Sequence, residues 1–384
     1  MDHFIEETPF FNGEQRELAR LVAEFVRSEI EPRAAEEADE DAHFRALLAL
    51  LAGAGVLPYA VAGTPGEALD VRSLCLIREA LAYSSSLADL AFAMQGLGTY
   101  AMSLAAPEHV RDFWLSRAAT GKAIAAFALT EPDAGSDVAA IQTTARRDGE
   151  GYLINGRKRF ISNAGLADFY TVFARTGTRA DGRALLSAFI VGARMQGFHV
   201  RERTRLIAPH PIGEIEFNNC RVPAEDMLGN EGDGFRLAMK TLDTFRASVG
   251  AAACGMARRA LDEAVRYAKT RQQFGRPLAE HQLIQEKLAM MATELDAARL
   301  LVYRAAYLKD AGVEQVTREA SQAKLYATEA ASRIIDQSVQ IHGGSGLVHG
   351  HPVERLYRDV RALRIYEGTS EIQKLVIAGQ LLKE

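Results

Sequence analysis

Two kinds of hydrophobic pattern alternate along the chain and divide it into three segments. In residues 1–124 the apolar positions recur every three or four residues, which is the spacing of helices packed by one face. Over 125–230 they tend to recur at every second residue, which is typical of strands. Over 231–384 the helical spacing returns. We therefore predict an N-terminal α-helical domain, a middle β domain and a C-terminal α-helical domain with these bounds.

Local signals set the elements within each segment. Asn12 and Gln15 form a capping box that begins the first long helix, and further helices are predicted over 44–51, 74–83 and 90–105. The uncharged stretch 46–66 is interrupted by glycines and prolines, so it predicts a buried helix and a loop rather than a membrane span. The C-terminal stretches 237–270, 280–311 and 316–342 are long enough for a four-helix bundle, completed by shorter helices over 355–365 and 372–382.

The middle segment predicts a compact, antiparallel, β-barrel-like domain. Strands are expected over 152–160, 169–174, 185–191, 198–202 and 212–217. The first of these contains Asn155-Gly156, the residue pair most typical of a tight hairpin turn. We therefore predict a hairpin at that pair. The fold class is α+β and multidomain.

Composition narrows the classes of function. The 384 residues carry a net charge of -5 and a pI of about 6.1, which disfavours a nucleic-acid partner. Cys75, Cys220 and Cys254 lack the spacing of a metal or redox site, and we predict no metal. These isolated cysteines and an acidic N-terminus without a signal-peptide pattern predict a cytoplasmic protein.

One carboxylate stands out near the C-terminus. Glu367 lies between Tyr366 and Gly368, at the break between two helical patterns, and Thr369 or Ser370 can cap the second helix. Such a residue is either a solvated glutamate before a helix cap or a base whose pKa is raised by apolar neighbours.

Four motifs resemble those of the acyl-CoA dehydrogenase family, and the α, β, α order extends the resemblance over essentially the whole chain. They are Tyr-Glu-Gly-Thr at 366–369, Thr-Glu-Pro-Asp-Ala-Gly-Ser-Asp at 130–137, Arg-Gln-Gln-Phe-Gly-Arg-Pro at 271–277 and Gln-Ile-His-Gly-Gly-Ser-Gly at 340–346. Taken alone, each could be an ordinary turn or helix end. The resemblance implies an FAD-dependent enzyme that oxidises an acyl-CoA to the 2-enoyl-CoA. Glu367 would remove the α-proton, and the β-hydrogen would leave as hydride to flavin N5.

The resemblance also assigns the binding residues. Those implied for FAD are Phe127, Leu129, Thr130, Phe160, Ser162, Arg271, Phe274, His281, Gln282, Gln340, Gly343, Gly344, Thr369 and Glu371. Those implied for the acyl-CoA are Ser136, Leu242, Asp243, Phe245, Arg246, Tyr366 and Gly368.

The chain departs from the family pattern at three places. Phe160 stands where a tryptophan is usual. Phe245 occupies the position at which some members carry their base, which leaves Glu367 as the base and favours a short, branched or alicyclic acyl group. The loop 204–213 contains two prolines and His210 instead of the usual CoA-contacting pattern.

Partners and alternatives follow from the same resemblance. It implies a homo-oligomer, with a tetramer expected, and an electron-transfer flavoprotein as electron acceptor. The alternatives are an oxidase on the same fold that acts on an acyl-CoA or a nitroalkane, a non-catalytic member, and a decarboxylating enzyme for diacid thioesters. The intact Glu367 argues against a non-catalytic member. The last enzyme would need a cation deep in its cavity, and the stretch 90–105 supplies none.

Overall fold

The computed structural model describes residues 2–35, 39–62 and 69–383 of the chain. The N-terminal helices are α1 (His3–Glu7), α2 (Gly13–Phe25), α3 (Glu40–Gly53), α4 (Val71–Ser84), α5 (Ser86–Ala105) and α6 (Glu108–Ala119). The middle strands are β1 (Ala125–Ala128), β2 (Thr144–Asp148), β3 (Gly151–Ser162), β4 (Phe169–Thr178), β5 (Ala184–Gly192), β6 (Phe198–Arg203), β7 (Ile212–Pro223) and β8 (Met227–Leu228). The C-terminal elements are α7 (Gly234–Thr270), β9 (Gln272–Gln273), β10 (Arg276–Pro277), α8 (Gln282–Asp310), α9 (Thr317–His342), α10 (Pro352–Leu363) and α11 (Ser370–Leu381).

The chain forms two compact units. One unit comprises Met1–Glu36, Asp70–Asp89 and Asp243–Glu384, and we call it the helical unit. The other comprises Glu37–Leu69 and Leu90–Leu242, and we call it the sheet unit. The three domain boundaries expected from the sequence stay a prediction.

The predicted N-terminal helices are present. The capping box is confirmed: the Asn12 side chain accepts the Gln15 N–H at 2.8 Å, and the Gln15 side chain accepts the Asn12 N–H at 3.2 Å. The buried helix expected within 46–66 is part of α3, and residues 63–68 of the loop predicted after it lie outside the described residues. Among the helices described, none is both long and apolar enough to cross a membrane.

The sheet unit contains an eight-stranded sheet in the order β6-β7-β3-β2-β4-β5-β8, with β1 beside β4. Most strand pairs are antiparallel, as predicted, but β1 and β2 pair with β4 in parallel. Strands β1 and β2 are not predicted from the sequence, because short alanine-rich and arginine-rich segments carry a weak strand signal.

The predicted hairpin at Asn155-Gly156 is wrong. β3 continues through this pair, and a β-bulge there interrupts its pairing with β7. Gly156 has a φ of 144°, and a Cβ on it would lie 2.5 Å from Thr143 Oγ1, so the glycine permits a close approach rather than a turn. The hairpin that joins β2 to β3 turns instead at Gly149, whose φ is 58°.

The helical unit is built around α9. Helices α8, α10 and α11 pack against it, and α4 packs against α8. Helix α7 approaches α4 closely, because Gly255 faces the carbonyl of Glu79. A Cβ on Gly255 would lie only 2.1 Å from that oxygen, so the two helices pack at a distance that only glycine allows.

We expect Gly255→Ala to lower the free energy of unfolding by about 1–3 kcal/mol, since the added methyl group must push α7 away from α4. Gly379→Ala is the matched control, because a Cβ on this α11 glycine meets no atom within 4 Å. The control should leave stability unchanged or raise it by about 0.4–1 kcal/mol. Thermal unfolding of both variants measures the difference, and equal melting temperatures would refute the steric argument.

Candidate active site

Glu367 lies in the turn between α10 and α11 with an unusual backbone conformation. Its φ is 53°, and that of Gly368 is 95°. The predicted helix cap is confirmed at Thr369, whose Oγ1 accepts the Ile372 N–H at 3.3 Å. A non-glycine residue at positive φ persists only where its surroundings hold it, and such residues cluster at active sites.

Two buried side chains hold this turn by its carbonyl oxygens. Lys324 Nζ donates to the Gly368 carbonyl at 2.7 Å. Gln373 Nε2 lies 3.2 Å from the Glu367 carbonyl and 3.1 Å from that of Gly368. Two features require glycine at position 368. Its φ is positive, and a Cβ there would lie 2.5 Å from Gln373 Nε2.

The Glu367 side chain is partly buried, and its carboxyl group is incompletely paired. Its Oε2 is buried and accepts no hydrogen bond from the described residues. Burial raises the pKa of Glu367, while the charges of Arg78, Lys324 and Arg246 oppose that rise. The group therefore combines a raised pKa with a free acceptor oxygen, as a general base requires.

The nearby arginines are paired with carboxylates. Arg78 is buried and donates to both oxygens of Asp89, at 2.7 and 2.8 Å, and to Ser248 Oγ at 2.9 Å. Arg246 donates through Nη1 to Asp243, whose other oxygen accepts the Thr317 hydroxyl at 3.0 Å. Both guanidinium groups are thereby fixed in place.

The other residues expected at the substrate are placed as follows. Phe245 is completely buried in α7, and Tyr366 is half-buried against the core of the helical unit. Leu242 belongs to the core of the sheet unit, and Ser136 is exposed there.

In the sheet unit, a buried ion pair organises the loop that follows β1. Lys158 is completely buried, and its Nζ donates to Glu131 Oε1 at 2.8 Å and to the Leu129 carbonyl at 3.0 Å. Glu131 also accepts the backbone N–H groups of Gln142 and Thr143. Together these bonds fix the conformation of the loop.

The same loop is joined to the end of β3. The Thr130 carbonyl accepts the Arg159 N–H at 2.9 Å, and Asn163 Nδ2 donates to the Ala125 carbonyl at 2.9 Å. The structure therefore brings Thr130 close to Phe160, whose φ is 54° and whose ring is half exposed. Phe127, also expected at the cofactor, is half-buried and stacks obliquely on Phe173 at 5.0 Å.

The loop 204–213 places a histidine on Ser162. His210 Nε2 lies 2.8 Å from Ser162 Oγ, and the Pro211 carbonyl accepts the Asn163 N–H at 2.7 Å. Burial lowers the pKa of His210 to about 4, so the imidazole is neutral at physiological pH.

Two further segments of the helical unit present polar groups to solvent. The first is the β9–β10 hairpin, where Arg271 is exposed without a side-chain partner in the described chain, and Phe274 is 94% exposed. His281 closes this hairpin, with Nε2 3.3 Å from the Gln273 carbonyl, and Gln282 is exposed.

The second segment consists of the last turn of α9 and the glycines that follow it. Gln340 is exposed, and a Cβ on Gly343 or Gly344 would meet no heavy atom within 4 Å. Their backbone is thus open to a ligand. Among the described residues, no hydrogen bond joins this segment to the Arg271 hairpin.

Family models match nearly the whole chain. The acyl-CoA dehydrogenase N-terminal domain matches residues 12–122, the middle domain 126–220 and the C-terminal domain 232–382. The chain belongs to the acyl-CoA dehydrogenase family. It is accordingly an oxidoreductase of that family.

Curated relatives include enzymes named as reductases and enzymes named as dehydrogenases. A 3-(aryl)acrylate reductase of Clostridium sporogenes is 43% identical, over 97% of this chain and 100% of its own. The CarC subunit of the caffeyl-CoA reductase-Etf complex of Acetobacterium woodii is 38% identical, over 98% and 100%. An acyl-CoA dehydrogenase of Bacillus subtilis is 40% identical, over 96% and 98%.

Solved structures similar to this chain are also acyl-CoA dehydrogenases. Butyryl-CoA dehydrogenase of Megasphaera elsdenii has a TM-score of 0.88 and 36% identity, covering 97% of this chain and 99% of its own. An acyl-CoA dehydrogenase of Bacillus anthracis complexed with FAD has a TM-score of 0.88 and 33% identity, covering 98% of this chain and 68% of its own.

FAD is the cofactor of this family, and the residues present here fit it. Arg271 is a free guanidinium, which suits the pyrophosphate. Gly343 and Gly344 leave backbone open to the nucleotide, and the Phe160 ring has an exposed face. Thr369 is half-buried and Glu371 is exposed, both at the start of α11.

Sequence reasoning missed four residues that support the site: Lys324, Arg78, Gln373 and Lys158. A signal was present for Lys324. It lies on the face of α9 that also carries buried Ala320, Ala323, Ala327 and Ala331, so a charged residue interrupts an apolar stripe. Lysine is almost never fully buried unless its charged group has a partner, so a lysine in such a position indicates a specific interaction.

We expect Lys158→Met to lower the free energy of unfolding of the sheet unit by about 3–5 kcal/mol, because it leaves the Glu131 carboxylate buried without its cation. Arg157→Met is the control on the same strand, since the Arg157–Glu216 pair is partly exposed and should contribute less than about 1 kcal/mol. Thermal and urea unfolding compare the two. The double variant Lys158→Met/Glu131→Gln should recover part of the loss, because the neutral amide needs no cation and its oxygen can still accept a backbone N–H. A loss that does not shrink would contradict the ion-pair explanation.

Proposed function

We propose that this protein oxidises an acyl-CoA thioester to the 2-enoyl-CoA, with Glu367 as the base that removes the α-proton. The observation that carries the proposal is the buried, unpaired Oε2 of Glu367 in a turn held at positive φ. An unpaired acceptor oxygen of this kind is available to take a proton from a bound substrate.

The backbone of the same residue supports stabilisation of the enolate. The Glu367 N–H donates no hydrogen bond within the described part of the chain, so it is free to bind a thioester carbonyl. Negative charge that develops on that oxygen would be stabilised by a donor already fixed in position, which is typically a large catalytic contribution. When bound, FAD supplies the acceptor for the hydride that leaves the β-carbon.

The remaining substrate contacts are proposed as follows. Asp243 and Arg246 form a fixed polar pair for the pantetheine arm. Ser136 is proposed to contact the thioester arm and Leu242 the acyl-CoA, and Gly368 gives the thioester access to the turn backbone. The buried Phe245 ring limits the acyl group to a short, branched or alicyclic chain.

The relatives' names favour a second candidate, a 2-enoyl-CoA reductase. In that direction Glu367 would supply the α-proton instead of removing it, and its raised pKa would suit an acid equally well. Anaerobic mixing with a panel of acyl-CoAs, scored by flavin bleaching, tests the first candidate. Reoxidation of the reduced flavin by a panel of 2-enoyl-CoAs tests the second.

We propose an electron-transfer flavoprotein as redox partner, in line with the Etf complex named for one relative. The oxidase alternative is tested by comparing flavin reoxidation by oxygen with reoxidation by such a flavoprotein. We also propose a homo-oligomer, with a tetramer expected, because Phe274, Leu347 and Leu382 of the single chain are 74–94% exposed. Light scattering of the flavin-loaded protein tests this.

We expect Glu367→Gln to slow flavin reduction by about 10²–10⁴-fold, since the amide keeps the shape but cannot accept the proton. Substrate should still perturb the flavin spectrum, because the Glu367 N–H is unchanged. Stopped-flow reduction at saturating substrate gives the rate, with Glu354→Gln on α10 as control. A near-normal rate in Glu367→Gln would show that another residue is the base.

The wild-type rate of reduction should rise with pH as Glu367 loses its proton, because the ionised carboxylate is the active form. Since burial raises its pKa, the rise should lie above the usual range of a glutamate. The pH profile of single-turnover reduction measures this. A flat profile down to pH 4 would contradict it.

Arg271→Ala should weaken FAD binding by about 1.5–3 kcal/mol, or roughly 10–150-fold, because a charged donor to phosphate is lost. Arg266→Ala is the control, since this exposed arginine of α7 pairs with Glu263 instead. FAD affinity is measured by titrating the apoprotein and following flavin fluorescence. Equal affinity in both variants would exclude Arg271 from the FAD site.

A further inference from the structure

Lys324 is a buried cation without a carboxylate as hydrogen-bonding partner. Its side chain is completely buried within α9, and its described hydrogen bond goes to a neutral acceptor, the Gly368 carbonyl, at 2.7 Å. Burial of an ammonium group is costly unless its charge is compensated nearby. The position therefore needs an explanation other than packing.

The carboxylates that face Lys324 are Glu367, Glu329 and Glu371. Glu329 already accepts Arg364 Nε at 2.8 Å and the Ser370 hydroxyl at 2.6 Å. Glu371 is exposed to solvent, which screens its charge. Glu367 is the one of the three with a buried carboxyl oxygen that accepts no hydrogen bond from the described residues.

The other charges that face Glu367 are Arg78, Arg246 and Asp89. Arg78 lowers the pKa of Glu367 more than Lys324 does, but it donates twice to Asp89, whose charge acts in the opposite direction. Arg246 is paired with Asp243 in the same way. Lys324 is thus the cation beside Glu367 whose charge is not already neutralised by a hydrogen-bonded carboxylate.

We propose that Lys324 is the positioning residue of the base: it holds the turn by the Gly368 carbonyl, one residue after Glu367, and its net charge sets the pH range over which Glu367 is ionised. This inference rests on the proposed role of Glu367. Lys324 can both hold the turn and supply a positive charge near the carboxylate, because the carbonyl that it binds belongs to Gly368, the residue after Glu367.

The directions of the pKa shifts agree with this arrangement. Burial lowers the pKa of Lys324 to about 8, and the Glu367 charge acts against that decrease. Reciprocally, Lys324 acts against the rise that burial causes at Glu367. Glu367 ionised and Lys324 protonated therefore coexist below about pH 8 and above the pKa of Glu367.

The test is the pH profile of single-turnover flavin reduction in Lys324→Met, which keeps the length and apolar stem of the side chain but removes its charge. We expect the acid limb to move up by about one pH unit or more, which is roughly a tenfold lower rate on that limb. Lys324→Arg keeps the charge and should leave the acid limb near its wild-type position. Flavin content and melting temperature report whether each variant is folded.

Lys287→Met is the matched control. Lys287 of α8 also donates to a neutral acceptor on α9, the Gln337 side chain, but it does not face Glu367. The acid limb of the pH profile of Lys287→Met should match that of the wild type. An unshifted acid limb in folded Lys324→Met, or an equal shift in Lys287→Met, would overturn the proposal.

Two further variants separate a failure of this proposal from misfolding and from a wrong assignment of the base. If Lys324→Met does not fold, Lys324→Gln supports the same comparison, since it is also uncharged but retains a donor. Glu367→Gln is measured in parallel: a near-normal rate there refutes the proposed base. A slow Glu367→Gln together with an unshifted Lys324→Met refutes only the role of Lys324.

Discussion

The active-site turn depends on one constraint: a carboxylate has to stay inside the protein without being fully hydrogen-bonded. Burial alone would favour the protonated form of Glu367, and a direct salt bridge would occupy the oxygen that accepts the proton in the proposed mechanism. The helical unit avoids both protonation and a direct salt bridge. It places positive charges near Glu367, but these cations donate their hydrogen bonds to groups other than the Glu367 carboxylate. Arg78 and Arg246 donate to aspartates, and Lys324 donates to a backbone carbonyl.

This arrangement explains why so much of the surrounding structure is rigid. The position of Glu367 is set by backbone conformation, by Lys324 and Gln373 bound to its turn, and by helices packed at close range. The alanine-rich face of α9 lets its neighbours approach closely, so that a lysine on the same face reaches the turn. A side chain held in this way loses little entropy when a ligand binds to it, which suits the proposed role of Glu367.

Much of the fold was predictable from the sequence because its long helices carry strong periodic signals, and because the Asn12 capping box marks a helix start unambiguously. The error at Asn155-Gly156 has a physical cause. The same dipeptide that suits a tight turn also suits a bulge, and only the proximity of Thr143, which is non-local, decides between them. Local sequence could not decide between the two.

For the site, the motifs shared with the family indicated which residues to consider. The position of Glu367 between two helices alone left open whether it is a base or a solvated glutamate before a helix cap. The supporting residues were not recognisable in the same way. The roles of Lys324 and Arg78 depend on what they face across the helix interfaces, and this information lies in tertiary packing. A buried charge on an apolar helix face is the one sequence signal that could have identified them.

The contact between His210 and Ser162 bears on the FAD contact that the family resemblance implies for Ser162. A neutral imidazole nitrogen either donates or accepts a hydrogen bond, depending on the tautomer. The Ser162 hydroxyl can therefore offer either its hydrogen or a lone pair to a bound ring without movement of either side chain. An atom that accepts a hydrogen bond before it is reduced, and donates one afterwards, would find a partner at Ser162 in both states.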